Sequence, residues 1–240
     1  MRYLVKISYD GSNFYGFQRL KNKRSVQEEL ERVLKVINKK PVEIKGAGRT
    51  DRGVHAYGQR AHFDLDIDIP KERLLKALND SLANDIRILD IEEVDNTFHA
   101  RFNVKKKIYQ YKINIGDYDP LKNNYFYQLN YKLDIKKLNE AAKLFLGVHN
   151  FKNFVSGERD NYEAIIYNVN VENDDNTIII TFEGKSFYRY MVRNMVGAML
   201  DVATNKNTLD ELKNMLDNVE VSKQMRCAPA QGLYLMKIFY

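Results

Sequence analysis

From Tyr3 to Tyr9 the chain alternates, with Val5, Ile7 and Tyr9 on one side, and this pattern predicts a strand. The turn-forming run Asp10-Gly11-Ser12-Asn13 follows. Ser25-Val26-Gln27-Glu28 then reads as a capping box, and the apolar period changes. Leu30, Val33, Leu34 and Ile37 make the buried stripe of a helix that Pro41 ends. Val42 to Lys45 predicts a short strand and Gln59 to Leu65 a second. Pro70 stands where a first helical residue would, and Leu74, Leu75 and Leu78 carry that helix. Ile86 to Val94 alternates again as a strand.

The second half repeats the style. Lys105 to Ile115 predicts a strand with Ile108, Gln110, Lys112 and Asn114 on one face and Tyr109, Tyr111, Ile113 and Ile115 on the other. Asp134 caps a helix whose stripe is Ile135, Leu138, Ala142, Phe145 and Leu146. Ile165 to Val171 and Thr177 to Phe182 form a hairpin around Asp174-Asp175-Asn176. A long helix is expected from Phe187 to Val202, a last helix behind the capping box Thr208-Leu209-Asp210-Glu211, and a closing strand from Leu233 to Phe239. Phe151 to Tyr162 is irregular and is expected to be a surface loop. The fold class is α+β: two similar α/β halves with a mixed, largely antiparallel sheet. The boundary falls near residue 100, giving an N-terminal half over 1–100 and a C-terminal half over 101–240.

Composition adds little to that picture. With 44% hydrophobic and 29% charged residues in 240, the chain can bury a core and is not disordered. A net charge of +6 tilts the odds toward nucleic acid without deciding them. Cys227 is the only cysteine, so no intrachain disulfide forms and a reducing compartment is expected. The charged start Met1-Arg2-Tyr3-Leu4-Val5-Lys6 lacks a signal-peptide core, and no apolar run has membrane-spanning length. These features predict a cytoplasmic protein that does not engage a membrane.

The richest candidate chemistry lies in Gly46-Ala47-Gly48-Arg49-Thr50-Asp51-Arg52-Gly53-Val54-His55-Ala56. Two arginines flank Asp51, and their charge favours its ionised form. The glycines let the backbone turn sharply and approach a ligand. The loop alone weighs evenly between a reactive anion and an ordinary surface ion pair. Thr50, His55 and Gln59 add hydrogen-bonding groups and raise the first reading. Arg189 and Arg193, four apart, are expected to share a helix face in an apolar, aromatic setting, partly buried and in need of an anion. Lys105, Lys106 and Lys107 lead into Tyr109 as a solvated strand end, or as a phosphate-tracking patch beside a stacking ring. Lys21, Lys23 and Arg24 form a similar cluster, and Arg101 adds to the same surface. His55, His62, His99 and His149 lack metal-ligand spacing. The glycines match neither the dinucleotide fingerprint nor the phosphate loop, and no Gly-x-Ser-x-Gly elbow is present. No metal and no nucleotide cofactor is expected.

Taken together the blocks resemble the TruA family of tRNA pseudouridine synthases from end to end. Tyr9-Asp10-Gly11 with Tyr15-Gly16-Phe17-Gln18 resembles its opening loop, with Phe17 where tryptophan is usual. Ser25-Val26-Gln27 resembles its first-helix entry. Gly48-Arg49-Thr50-Asp51 with Gly53-Val54-His55-Ala56 resembles its signature, Arg52 falling at a variable position. Phe98-His99-Ala100-Arg101-Phe102, Met191-Val192-Arg193-Asn194 and Gly232-Leu233-Tyr234-Leu235 resemble later blocks. The resemblance implies two α+β halves around a central basic cleft, a homodimer, and isomerisation of uridine to pseudouridine without metal or organic cofactor. It implies Asp51 as the catalytic aspartate, Tyr109 as the tyrosine stacking on the target base, and Arg193 as the partner of the aspartate. Leu233 becomes the apolar residue on the base's other side, and Arg49 the arginine that helps extrude the nucleotide, a step the chemistry requires because a stacked uridine hides C1′ and C5. The implied substrate is the tRNA anticodon stem-loop at uridines 38 to 40, recognised by shape and backbone. Ribosomal RNA is the alternative substrate for the same chemistry. A non-catalytic RNA-binding module and a different carboxylate enzyme, such as a nucleoside hydrolase, are the competing classes.

Overall fold

The computed structural model describes residues 1–218 and 226–240. In chain order these residues form β1 (Arg2–Tyr9), α1 (Val26–Asn38), β2 (Lys45–Gly46), β3 (His55–Asp64), α2 (Lys71–Ser81), β4 (Ile86–Val94), β5 (Lys106–Asn114), β6 (Tyr127–Gln128), α3 (Ile135–Leu144), β7 (Gly147–Asn150), β8 (Glu163–Asp174), β9 (Thr177–Gly184), α4 (Met191–Ala203), α5 (Leu209–Asp217) and β10 (Leu233–Phe239). Contacts divide the chain into one unit of Met1–Lys105 with Tyr234–Tyr240 and a second of Lys106–Leu233.

In the first unit β1 is central. It pairs antiparallel with β4 on one edge and with β3 on the other. The far edge of β3 is shared: its start pairs parallel with β10 (Tyr234↔His55) and its end antiparallel with β2 (Gly46↔Ala61). Tyr3, Val5, Ile7 and Tyr9 are all buried, which is why the alternation of β1 is so regular. Leu30, Val33 and Leu34 of α1 and Leu74 and Leu78 of α2 are buried as their spacing requires. Ser25 caps α1 by accepting from the Glu28 N–H.

In the second unit the antiparallel order is β5-β9-β8-β7, with β6 parallel to the end of β5. The β8–β9 hairpin closes at Asp174↔Thr177 through Asp175 and Asn176, Asp175 taking a φ of 45°. Helix α4 is buried along nearly its whole length, and α3 and α5 pack against it. The Thr208–Glu211 capping box forms in full at the start of α5. Both units therefore combine antiparallel ladders with helices, and the mixed α+β class is the one observed.

Several local expectations are corrected. Helix α4 starts at Met191, not Phe187, because Tyr190 sits in the left-handed region (φ 63°) and blocks helical continuation. Of Val42 to Lys45 only Lys45 pairs in a strand; Val42 and Ile44 are buried without a ladder, so their alternation reports burial alone. Pro70 caps α2 rather than filling its first turn. The stretch from Phe151 is not simply a surface loop. Phe151 and Phe154 are fully buried and pack with Phe145 at centroid distances of 5.3 to 6.4 Å.

Candidate functional site

The loop between β2 and β3 carries Arg49, Asp51 and Arg52, and the backbone around it is tied at successive points. The Ala47 N–H donates to the Arg60 carbonyl at 2.7 Å. Gln59, fully buried, donates from Nε2 to the Gly48 carbonyl at 3.0 Å. Thr50 is buried; its Oγ1 lies 2.8 Å from the Tyr9 hydroxyl, and its carbonyl accepts from the Phe17 N–H at 3.1 Å. The Asp51 carbonyl accepts from the Val54 N–H at 3.2 Å across a turn in which Gly53 has φ 80°. Asp51 is thus half-buried on a fixed backbone, with Arg49 and Arg52 exposed on either side. Burial pushes the Tyr9 phenol up to about 12, against the opposing pull of its bonds to Thr50 and Gln59, so Tyr9 stays neutral where it braces the loop.

The opening loop packs directly on this one, a union that sequence reasoning missed. The Gly11 N–H donates to His55 Nδ1 at 3.0 Å. A Cβ on Gly16, whose φ is 99°, would stand 2.6 Å from the Thr50 carbonyl oxygen. The Phe17 ring fills the space beside Gly46, where a Cβ would come within 2.4 Å of it. The available signal was the pair of glycines in Asp10-Gly11 and Tyr15-Gly16, which only close backbone approach explains. His55 is a structural member of the site: its ring stacks on Tyr234 at 4.7 Å, and Tyr234 stacks on Tyr57 at 5.7 Å.

In the second unit Tyr109 is buried on β5, edge-to-face with Phe187 at 5.1 Å. Arg193 lies in the first turn of α4, half-buried. Its Nε donates to the Ala228 carbonyl at 2.7 Å, the Ala228 N–H donates back to the Arg193 carbonyl at 3.1 Å, and its guanidinium is 4.9 Å from the Tyr190 ring. Leu233 is buried at the start of β10. Arg189 does not share a helix face with Arg193, because it precedes the helix; it is exposed, and its guanidinium is 4.9 Å from the same Tyr190 ring.

The lysine run is not one patch. Lys106 pairs with Glu183 at 2.7 Å, and Lys107 faces Gly184 across the β5–β9 ladder. Lys105 is exposed, and its N–H donates to the Phe239 carbonyl in the first unit. The Lys21–Lys23–Arg24 cluster also divides, since Arg24 is committed to Asp85 and Glu29 at 2.6 and 2.9 Å. Among the described residues no group of three or more His, Cys, Asp or Glu side chains is placed to hold a metal, and no helix is long and apolar enough to cross a membrane.

The chain is similar to known proteins over its length. A family model described as tRNA pseudouridine synthase matches residues 6–103 and 141–240. The chain is 40% identical over 238 residues to tRNA pseudouridine synthase A of Geobacillus sp. (strain WCH70), covering 98% of this chain and 96% of that one. It is 41% identical over 245 residues to the protein of that name from Listeria monocytogenes serotype 4b, covering 100% and 99%. It is 42% identical over 241 residues to that of Pseudothermotoga lettingae, covering 99% and 98%. The class is therefore that of the tRNA pseudouridine synthases, which are isomerases. Within that class the chain belongs to the TruA family.

Proposed function

We propose that this protein isomerises uridine to pseudouridine at positions 38 to 40 of the tRNA anticodon stem-loop, with Asp51 as the catalytic carboxylate. The observation that carries the reading is the bracing of Asp51. The residue before it is buried and bonded to Tyr9, and its own carbonyl is bonded to Val54. A backbone so held sets where the carboxylate stands while one ribose carbon exchanges partners, and such positioning lowers the barrier.

In the reaction N1–C1′ breaks, the detached uracil turns, C5–C1′ forms, and the C5 proton is lost as N1 gains one. Substrate and product have the same atoms and oxidation level, so the balance calls for no oxidant, reductant or co-substrate. Asp51 acts on the base or the ribose, or assists departure of the uracil anion. In this reading Tyr109 stacks on the base, Leu233 covers its other side, Arg193 pairs with Asp51, and Arg49 takes the space the extruded nucleotide leaves. The fixed rings of Tyr109 and Phe187 and the anchored Nε of Arg193 support these roles. Of the basic residues, exposed Lys105 and Arg189 serve the RNA backbone directly, while Lys107 and the Glu183-paired Lys106 add to the charge beside them, and the working form is a homodimer.

Replacing Asp51 with Ala or Asn in the full chain is expected to abolish pseudouridine formation while tRNA affinity stays within a few-fold. Turnover retained by Asp51→Ala would defeat the assignment. Deleting the gene and mapping pseudouridine across tRNA and rRNA tests the substrate: loss at 38 to 40 supports it, and loss only in rRNA replaces it. Release of free uracil would point to hydrolysis instead. Sedimentation of the pure protein tests the dimer.

A further inference from the structure

Half of the ten arginines of the first unit are matched by carboxylates. Arg2, Arg19, Arg24, Arg32 and Arg60 each lie within 3.1 Å of an Asp or Glu oxygen. Lys23 and Arg52 are arranged differently. Both are exposed, and both approach the same ring: Lys23 Nζ is 4.6 Å and the Arg52 guanidinium 4.4 Å from the centroid of Tyr15. Among the described residues neither forms an ion pair with a carboxylate. The ring attracts each cation. A pair of like charges gathered on one aromatic support is suited to an anion that meets both.

The support is well anchored beside Asp51. The Tyr15 N–H donates to the Arg24 carbonyl at 2.9 Å, and the Lys23 N–H to the Leu20 carbonyl at 3.3 Å, closing the turn that presents Lys23. The next residue, Gly16, lies against the backbone of Thr50, Asp51 and Arg52, so closely that a Cβ would reach 2.6 Å from the Thr50 oxygen. Arg52 directly follows Asp51 in the chain. Ring and both cations are therefore fixed to the carboxylate-bearing loop.

The geometry points to a phosphate clasp: Lys23 and Arg52, held by Tyr15, grip a backbone phosphate of the tRNA strand that carries the target uridine. The clasp positions RNA and takes no part in bond making, and it rests on the reading of Asp51 as the catalytic carboxylate. It accounts for a charge at Arg52 that the signature block does not require.

The test uses the full chain and an unmodified tRNA transcript. Lys23→Ala/Arg52→Ala is compared with Lys35→Ala/Lys71→Ala, which removes the same charge from exposed helical positions. Binding is measured across a salt series and single-turnover pseudouridine formation at saturating tRNA. One lost phosphate contact lowers the slope of log K against log salt by about 0.7 to 0.9. The clasp variant is expected to show that loss, with about 5- to 10-fold weaker binding at low salt and an unchanged saturated rate. Tyr15→Ala should reproduce the loss and Tyr15→Phe should not. If the clasp variant binds with the slope and affinity of the control pair, the proposal is overturned. Absence of pseudouridine formation by the unmodified protein would instead count against the catalytic reading, while the binding arm still decides the clasp.

Discussion

The Tyr9 hydroxyl and Thr50 Oγ1 share a buried bond of 2.8 Å directly beside Asp51, and Gln59 Nε2 reaches the same hydroxyl at 3.5 Å. Thr50→Val keeps the side-chain volume and removes the oxygen, leaving a buried phenol poorly satisfied. The expected cost is about 1–3 kcal/mol, read as a fall in melting temperature, with a drop in turnover because the Asp51 backbone loosens. Thr50→Ser should restore most of both. Tyr9 adds an alkaline signature. Its folded pKa is raised to about 12 from an ordinary 10.0, so the stabilisation it gives is complete below pH 10 and is lost as pH rises toward 12. Urea denaturation of Tyr9→Phe should show a shallower alkaline limb, although Tyr3 and Tyr240, raised the same way, will keep part of it. Asp51, its flanking arginines and the glycines could be picked out of the sequence because they are close neighbours. Tyr9 stood out as the start of the opening block, but its bond to Thr50, 41 residues away, could not be read from the sequence.

Strands and helices with an unbroken period were legible: Ile86 to Val94 and Leu233 to Phe239 form strands with the expected bounds. The starts and ends that depend on one backbone angle or one distant partner were not. Tyr190 shows why. Its aromatic, apolar surroundings continue the helical pattern, yet its left-handed φ delays α4 to Met191 and removes Arg189 from the helix. Strand β3 makes a comparable long-range tie. His62 is buried on it, and its Nδ1 accepts from the Ala100 N–H at 3.1 Å, holding the Phe98–Phe102 block in place. Burial first, then His99 and Arg2, lower its pKa to about 4 from 6.5. A lowered folded value means stability that is present above pH 6.5 and is lost as pH falls toward 4. The imidazolium formed there has no lone pair for Ala100. His62→Asn keeps an acceptor in the Nδ1 position without the charge. It is expected to flatten the acid limb of chemical denaturation by about 2 kcal/mol between pH 6.5 and 4. An acid limb as steep as before would assign the loss to other groups.

On the scale of the whole chain, the local pattern told that residues 233–239 make a strand but not which half they serve. A boundary near residue 100 puts them with the second half, whereas Tyr234–Tyr240 pack with the first unit. Strand β10 lies parallel to the start of β3, and a Cβ on Gly58 would come within 2.3 Å of the Met236 carbonyl, so the two backbones meet where only glycine fits. Leu235 and Ile238 are buried there, and Tyr234 supplies the ring on which His55 stacks. Parallel pairing cannot come from a local hairpin, so the first unit is completed only by residues far along the chain, Tyr234–Tyr240. A chain ending at residue 232 is therefore expected to retain unit 1 as an incomplete sheet. Its β3 edge would be open to pairing with other chains, and His55 would be released beneath the opening loop. Such a chain should aggregate, lose cooperative unfolding of the first unit and form no pseudouridine. Gly58→Val in the full chain should reproduce the loss of activity more mildly by pushing β10 away from β3. Wild-type turnover and melting in both variants would show that the closing strand is dispensable to the loop that carries Asp51.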